Sequence, residues 1–338
     1  ASDTQRAKLM TLQAESLVRT RKAADARKVL HQLTTLYPQQ ADPAQTTLLL
    51  GEAKLLGDER STAEALVTLR KLIADHPETP AAARAQHDII VHDPAYRASA
   101  ARAEAMAQWL GAHADHELAD AGRRVLLDAY LSLASQGTKP TAVSDLSPGD
   151  LKAITLAAEI YRHDLPIGAA DALTKQLLDH VNARYAAVGA NAAAARALET
   201  LLAAPLPRSN RLTVLKSLGS YKYLLAAKWL EDTARAGLLP VGVPRGQLPK
   251  QLTDVLATFE ATRAEYPAEP LWIDQANLAK RVRASAASVL PTAVFQGLKG
   301  PDTWALDIAI PVIKANADPE AVKSAAETVL GIIQERAQ

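Results

Sequence analysis

Residues 113–120, "HADHELAD", form the densest run of potential ligands in the chain. His113, His116 and Glu117 or Asp120 fall three or four apart, so one helix would carry them on a single face. Imidazoles and carboxylates converging in that way are what a catalytic zinc needs, and a metal-dependent hydrolase would follow from it. The run also follows Gly111 and reads as the polar turn between two helices, with Asp115 as an N-cap. The turn is the reading the sequence favours, which leaves His113, His116 and Glu117 as a weak metal candidate. His87 and His92 are five apart and belong to different faces of a helix.

Other chemistries leave no trace. There is no Gly-x-Ser-x-Gly elbow, phosphate loop, dinucleotide fingerprint, His-Glu-x-x-His or Asp-Asp-x-x-Asp run. At 4% aromatic, the chain is poor in the stacking platforms on which all-α carbohydrate enzymes depend. No cofactor is expected. One long helix, "RLTVLKSLGSYKYLLAAKWLEDTARAG", gathers Tyr221, Tyr223 and Trp229 beside Lys216, Lys222 and Lys228. Aromatic residues with basic neighbours suit a partner interface. The same residues serve equally as core anchors with snorkelling lysine stems.

The elements that must position these residues are helical. The chain is rich in Ala, the best helix former, and has only 15 Gly and 2 Phe in 338 residues. That length exceeds one ordinary core, so several units or an extended array are expected. A net charge of +1 with interspersed signs offers no field for nucleic acid, and none is expected as a partner. The cluster Lys280, Arg281 and Arg283 reads as a solvated face. Zero Cys excludes disulfides, zinc ribbons and a thiol nucleophile. No run approaches the roughly 20 apolar residues of a membrane-spanning helix, the nearest being "ASVLPTAVFQGLKG", broken by Pro291. The absence of an initiating Met suggests a removed segment, and the reading leans towards a periplasmic or secreted bacterial protein, with the cytoplasm as the alternative.

Proline marks the helix ends. Asp42-Pro43, Thr79-Pro80, Asp93-Pro94, Ser147-Pro148 and Asp318-Pro319 each place a capping oxygen before a Pro at the first helical position. Pro38, Pro77, Pro205 and Pro267 close helices, because the residue before Pro is pushed out of the α region. Between these marks, apolar residues recur at three- and four-residue spacing, as in Leu9, Leu12 and Leu17, then Val29, Leu30, Leu33 and Leu36.

One pattern occurs twice. "AESLVRTRKAADARKVLHQLTTLYP", from residue 14, aligns without a gap on "AKLLGDERSTAEALVTLRKLIADHP", from residue 53. Ala14, Leu17, Ala24, Ala26, Leu30, Leu33 and Pro38 return as Ala53, Leu56, Ala63, Ala65, Leu69, Leu72 and Pro77. Each copy reads as a helical hairpin that buries its apolar stripe only by stacking on the next. The pattern resembles the tetratricopeptide repeat, most clearly over residues 5–90. It has that family's small residue midway along the first helix (Ala14, Ala53), another early in the second (Ala26, Ala65), and a closing Pro. It departs in lacking the first-helix aromatics, in placing Gln13 and Glu52 where the family prefers Leu, and in a period of 39.

The expected fold is an all-α solenoid of stacked antiparallel hairpins, less regular in its C-terminal half. Breaker-rich stretches at 135–150 and 237–250 predict units at 1–137, 149–237 and 249–338. The middle unit should hold helices near 149–163, 166–188, 190–204 and 209–236. The resemblance implies a non-catalytic adaptor that holds a peptide or partner helix on the concave face of its first helices, with Gln13, Ser16, Arg19, Glu52 and Leu55 lining it. Tyr221, Tyr223 and Trp229 are the second candidate contact surface, and a bacterial envelope assembly is the expected setting. Two other classes remain: an enzyme, either the hydrolase above or a lytic-transglycosylase-like helical scaffold, and a spacer between other domains.

Overall fold

The computed structural model describes residues 2–57, 59–163, 165–236, 248–269, 272–287, 301–315 and 318–338. Among them the regular elements are helices, with no strand. The chain divides into two compact units, Ala1–Gln136 and Gly137–Gln338. Unit 1 holds α1 (Asp3–Arg19), α2 (Ala23–Leu36), α3 (Pro43–Leu55), α4 (Glu59–Asp75), α5 (Pro80–His92), α6 (Ser99–Ala112) and α7 (Ala119–Gln136). Unit 2 holds α8 (Pro148–Ile160), α9 (Ile167–Arg184), α10 (Asn191–Leu202), α11 (Arg208–Arg235), α12 (Lys250–Glu265), α13 (Trp272–Ala287), α14 (Pro301–Ala315) and α15 (Pro319–Ala337). Helices that follow one another pack as pairs, which is the all-α, solenoid-like arrangement.

The five capping residues do what their chemistry dictates. Asp42 accepts the Ala44 and Gln45 amides, Thr79 the Ala82 amide, Ser147 the Asp150 amide and Asp318 the Glu320 amide. Each satisfies a first-turn donor that has no partner within its helix. Asp93 caps only a 3-10 turn, Pro94–Tyr96, and the helix proper resumes at Ser99. The closing prolines follow helices ending at Leu36, Asp75, Leu202 and Glu265.

In unit 1 eight of the fourteen repeated positions lie in the core, while Leu17 is half-buried and Ala24, Pro38, Leu56, Ala63 and Pro77 are exposed. Ala14, Ala26, Leu30, Leu33, Ala53, Ala65, Leu69 and Leu72 are buried. Consecutive hairpins share α3: Leu49 packs with Ala14, Val29 and Leu30, while Leu48 packs with Leu66, Leu69 and Ala85. Adjacent residues on one helix thus close two neighbouring cores, which is why a lone hairpin would be incomplete. Small residues set the spacing. A Cβ added at Gly51 would stand 2.5 Å from Leu69 Cδ2, so any side chain there would have to displace the buried Leu69. The turn between α1 and α2 closes through Arg21, whose φ of 59° lies in the left-handed region.

In unit 2, one core draws Leu230 from α11, Phe259 from α12, Val282 from α13, Trp304 from α14 and Ile332 from α15. The core therefore runs from α11 to α15 across the stretch 237–250, of which 237–247 lie outside the described residues, as does most of "ASVLPTAVFQGLKG". Among the described residues no helix is long and apolar enough to cross a membrane. The basic cluster on α13 is compensated: Lys280 pairs with Glu327, Arg281 with Glu231, and Arg283 with Glu335.

Candidate functional site

The first helices of successive hairpins, α1, α3 and α5, pack against one another. Along them, and bounded by the turn before α7, lies a groove of about 580 Å³. Val18, Leu48, Leu49, Pro80 and Ala81 are its apolar lining, and of these Leu48, Leu49 and Ala81 are almost wholly buried. The rest of its lining is polar and charged, with Glu15 and Arg19 from α1, Gln45 from α3, Arg84 from α5, and Asp115, His116 and Glu117 from the turn. A concave lining dominated by polar and charged side chains is one that can orient a ligand by hydrogen bonds and charge.

Arg84 organises the electrostatics. Its Nε stands 2.6 Å from a Glu52 carboxylate oxygen, and its Nη1 stands 3.3 Å from Glu117. Glu52 is only 7% exposed, and its second carboxylate oxygen has no hydrogen-bond partner. Burial pushes the Glu52 carboxyl up to about 7; the Asp88 carboxylate adds to the rise, and Arg84 opposes it without cancelling it. Asp88 in turn lies 3.3 Å from His87 Nδ1. Across the groove, Gln45 donates to Glu15 at 2.8 Å.

The histidines of unit 1 gather around Trp109 rather than around a metal position. The His87, His113 and His116 rings lie 5.3, 5.3 and 5.4 Å from the Trp109 ring. The indole N–H donates to the Ala83 carbonyl at 2.8 Å, tying α6 to α5. Residues 114–118 are the inter-helix turn. In it His116 Nδ1 accepts the Leu118 amide at 3.1 Å, His113 Nε2 meets Gln86 at 3.3 Å, and Glu117 turns to Arg84. His113, His116 and Glu117 are thus not brought together as ligands, because the helix that would align them is interrupted. Among the described residues no group of three His, Asp or Glu side chains is placed to hold a metal ion. His87 is buried, whereas His92 ends α5 exposed.

The other expected contact residues divide. Arg19 lines the groove, and Glu52 lies behind it, bound to Arg84. Gln13 and Ser16 are exposed but face elsewhere. At 3.6 residues per turn, Gln13 falls nearly opposite Glu15, and Ser16 about a quarter-turn from it. Leu55 packs on the α3–α5 core. In unit 2, Tyr221 is buried, its hydroxyl donating to Asn182, so it is an internal anchor rather than a contact surface. Tyr223 and Trp229 are half-buried against the α11–α15 core, with the Arg281 guanidinium 5.7 Å from the Tyr223 ring.

Sequence reasoning missed Glu15, Gln45, Arg84 and the apolar lining residues. The signal available was the phase of α1: Ala7 and Ala14 mark its buried face, and Glu15, Val18 and Arg19 lie beside that face. It also missed a second ionic centre, in unit 2. Asp150, fully buried near the start of α8, accepts from His180 Nε2 at 2.6 Å, Arg184 Nε at 2.7 Å, Tyr185 at 2.5 Å and Ser147. Burial pushes its carboxyl up, but the hydrogen bonds from His180, Ser147, Tyr185 and Arg184 outweigh burial and hold it well below the usual carboxylate range. With four side-chain donors satisfied internally, this centre fastens α8 to α9.

No family model matches the chain, and no curated protein matches its sequence.

Proposed function

We propose that unit 1 is a non-catalytic protein-interaction module whose groove along α1, α3 and α5 holds a peptide or helix of a partner protein. The observation that carries the reading is the groove itself, a concave surface along three successive first helices lined mainly by polar and charged side chains. Repeated hairpins that share α3 across two cores supply a rigid support, and a partner's ordering cost is lower on a preformed surface. The resemblance to tetratricopeptide repeats belongs to this proposal, since it rests on the paired positions of residues 14–38 and 53–77. So does an adaptor role in a bacterial envelope assembly, with which a chain without Cys is compatible, as it is with reducing surroundings.

The test is capture from envelope extract with the intact chain as bait. A protein retained by the native chain should be lost when Arg19→Glu and Gln45→Trp are introduced together. It should be kept when Gln13→Glu and Ser16→Glu are introduced instead. Equal loss from both pairs, or from neither, would contradict placement of the site in the groove.

A further inference from the structure

Three imidazoles surround the Trp109 indole, and they differ in what their ring nitrogens do. His113 Nε2 meets the Gln86 amide oxygen at 3.3 Å, and His87 Nδ1 meets the Asp88 carboxylate at 3.3 Å. Both oxygens accept, so both rings donate there and keep these bonds when protonated. His116 is the exception. Its Nδ1 lies 3.1 Å from the Leu118 backbone nitrogen, whose N–H can only donate. The ring nitrogen therefore accepts, and the ring is neutral with its proton on Nε2. An imidazolium carries hydrogen on both nitrogens, so no turning of the ring in its place restores the bond.

The bond lies where the chain reverses between α6 and α7. The His116 N–H donates to the His113 carbonyl at 3.1 Å, and the Ala119 N–H donates to the His116 carbonyl at 2.8 Å. The His116 ring stands edge-on to Trp109 at 5.4 Å, and Trp109 is buried. The same turn supplies Asp115, His116 and Glu117 to the groove, and Glu117 reaches Arg84 of α5 at 3.3 Å. The other titratable and charged groups around the ring come from every neighbouring element. His113 at the end of α6 is 6.3 Å away, and His87 of α5 shares the indole. Asp120 and Arg123 of α7 pair with each other at 2.7 Å, and Glu15 and Arg19 of α1 line the groove with His116. Asp115 and Glu117 are exposed on either side of it, so an imidazolium freed from Leu118 has carboxylates to turn to.

We propose that His116 is a proton-sensitive latch on the turn 113–118. Neutral, it holds the turn through the Leu118 amide. On taking up a proton at Nδ1 it releases that amide, and the part of the groove lined by Asp115, His116 and Glu117 changes shape with it. Imidazole is the side chain whose charge changes between about pH 5 and 8, so the latch works in mild acid.

The test is amide hydrogen exchange at Leu118 in the intact chain at about pH 8 and about pH 5, expressed as protection relative to an unstructured peptide at the same pH. Imidazole nitrogen chemical shifts are read on the same samples. Two variants run in parallel, with circular dichroism checking that each keeps its helical content. His116→Asn offers an acceptor that does not titrate, because an Asn side-chain oxygen bonds the amide two residues on. His116→Leu keeps an apolar contact for Trp109 and has no acceptor. The native chain should show His116 Nδ1 unprotonated at the higher pH and Leu118 protection falling about tenfold at the lower. His116→Asn should keep its protection at both, and His116→Leu should lack it at both. Glu52, His87 and His113 are present in all three chains, so a pH effect common to all belongs to them. A native Nδ1 that carries the proton at the higher pH would overturn the proposal. So would native protection that is the same at both pH values, or that falls equally in His116→Asn. Exchange is read without a partner, so the result stands apart from what the groove binds.

Discussion

Unit 1 and unit 2 each bury a carboxylate beside an arginine, and the two carboxylates titrate in opposite directions. Asp150 has four side-chain donors around it and is held low. Glu52 has Arg84 on one oxygen, no donor on the other and the Asp88 carboxylate within hydrogen-bonding reach, and it is held high. Burial acts in the same direction on both. On Glu52 burial and the Asp88 carboxylate outweigh a single arginine, whereas on Asp150 four donors outweigh burial, so the sign of the shift follows from burial and partners together. The satisfied centre is structural, locking α8 to α9. The other is paired with Arg84, which lines the groove of unit 1.

Replacing the central carboxylate breaks the comparison most sharply. Asp150→Asn leaves the Arg184 guanidinium, itself nine-tenths buried, without its counter-charge. We expect a loss of about 3–5 kcal/mol in denaturant unfolding of unit 2. A change under about 1 kcal/mol would show that the centre contributes little.

The pH dependence separates the two units. Glu52 has a folded-state pKa raised above its unfolded value of about 4.3, so its contribution is fully present below that value and is lost as pH rises towards 7. Unit 1 should therefore weaken over that window by on the order of 3 kcal/mol, and Glu52→Gln should flatten the slope. Asp150 has a depressed pKa, so its contribution is present above about 3.9 and is lost as pH falls below that. Amide exchange read separately on α3–α5 and α8–α9 would display both trends. Parallel slopes in the two units would contradict the assignment.

Smaller effects sharpen the picture. Gly51→Ala drives a methyl into Leu69 and should cost about 1–3 kcal/mol in unit 1. Ser147→Ala removes the α8 cap and one Asp150 donor, for about 1 kcal/mol in unit 2 by thermal unfolding. Arg19→Ala, at an exposed groove position, should change stability by less than about 0.5 kcal/mol while weakening partner capture.

The fold was legible because its signals are local. Asp42, Thr79, Ser147 and Asp318 cap their own helices, and the residue pairs Ala14/Ala53 and Leu30/Leu69 repeat in register, so neighbours in sequence were enough. The sites were less legible because their partners are distant. Arg84 lies 32 residues from Glu52, and His180 lies 30 from Asp150, so each reads alone as an ordinary polar residue on a helix. Gln13 and Ser16 were expected on the groove because a shared pattern gives register but not phase, which Ala7 and Ala14 set by being buried. Tyr221 looked like a contact residue because a Tyr with lysine neighbours has the same spacing whether it faces a partner or Asn182.

Site-specific photocrosslinking tests the central claim most directly. A photoreactive residue is placed in the intact chain at Gln45 in the groove, at Gln13 on the other face of α1, or at Trp229 in unit 2, and the partner captured from envelope extract is irradiated on each. The account predicts a crosslinked partner from position 45 and none from positions 13 and 229. A crosslink from position 13 or 229, with position 45 silent, would contradict it.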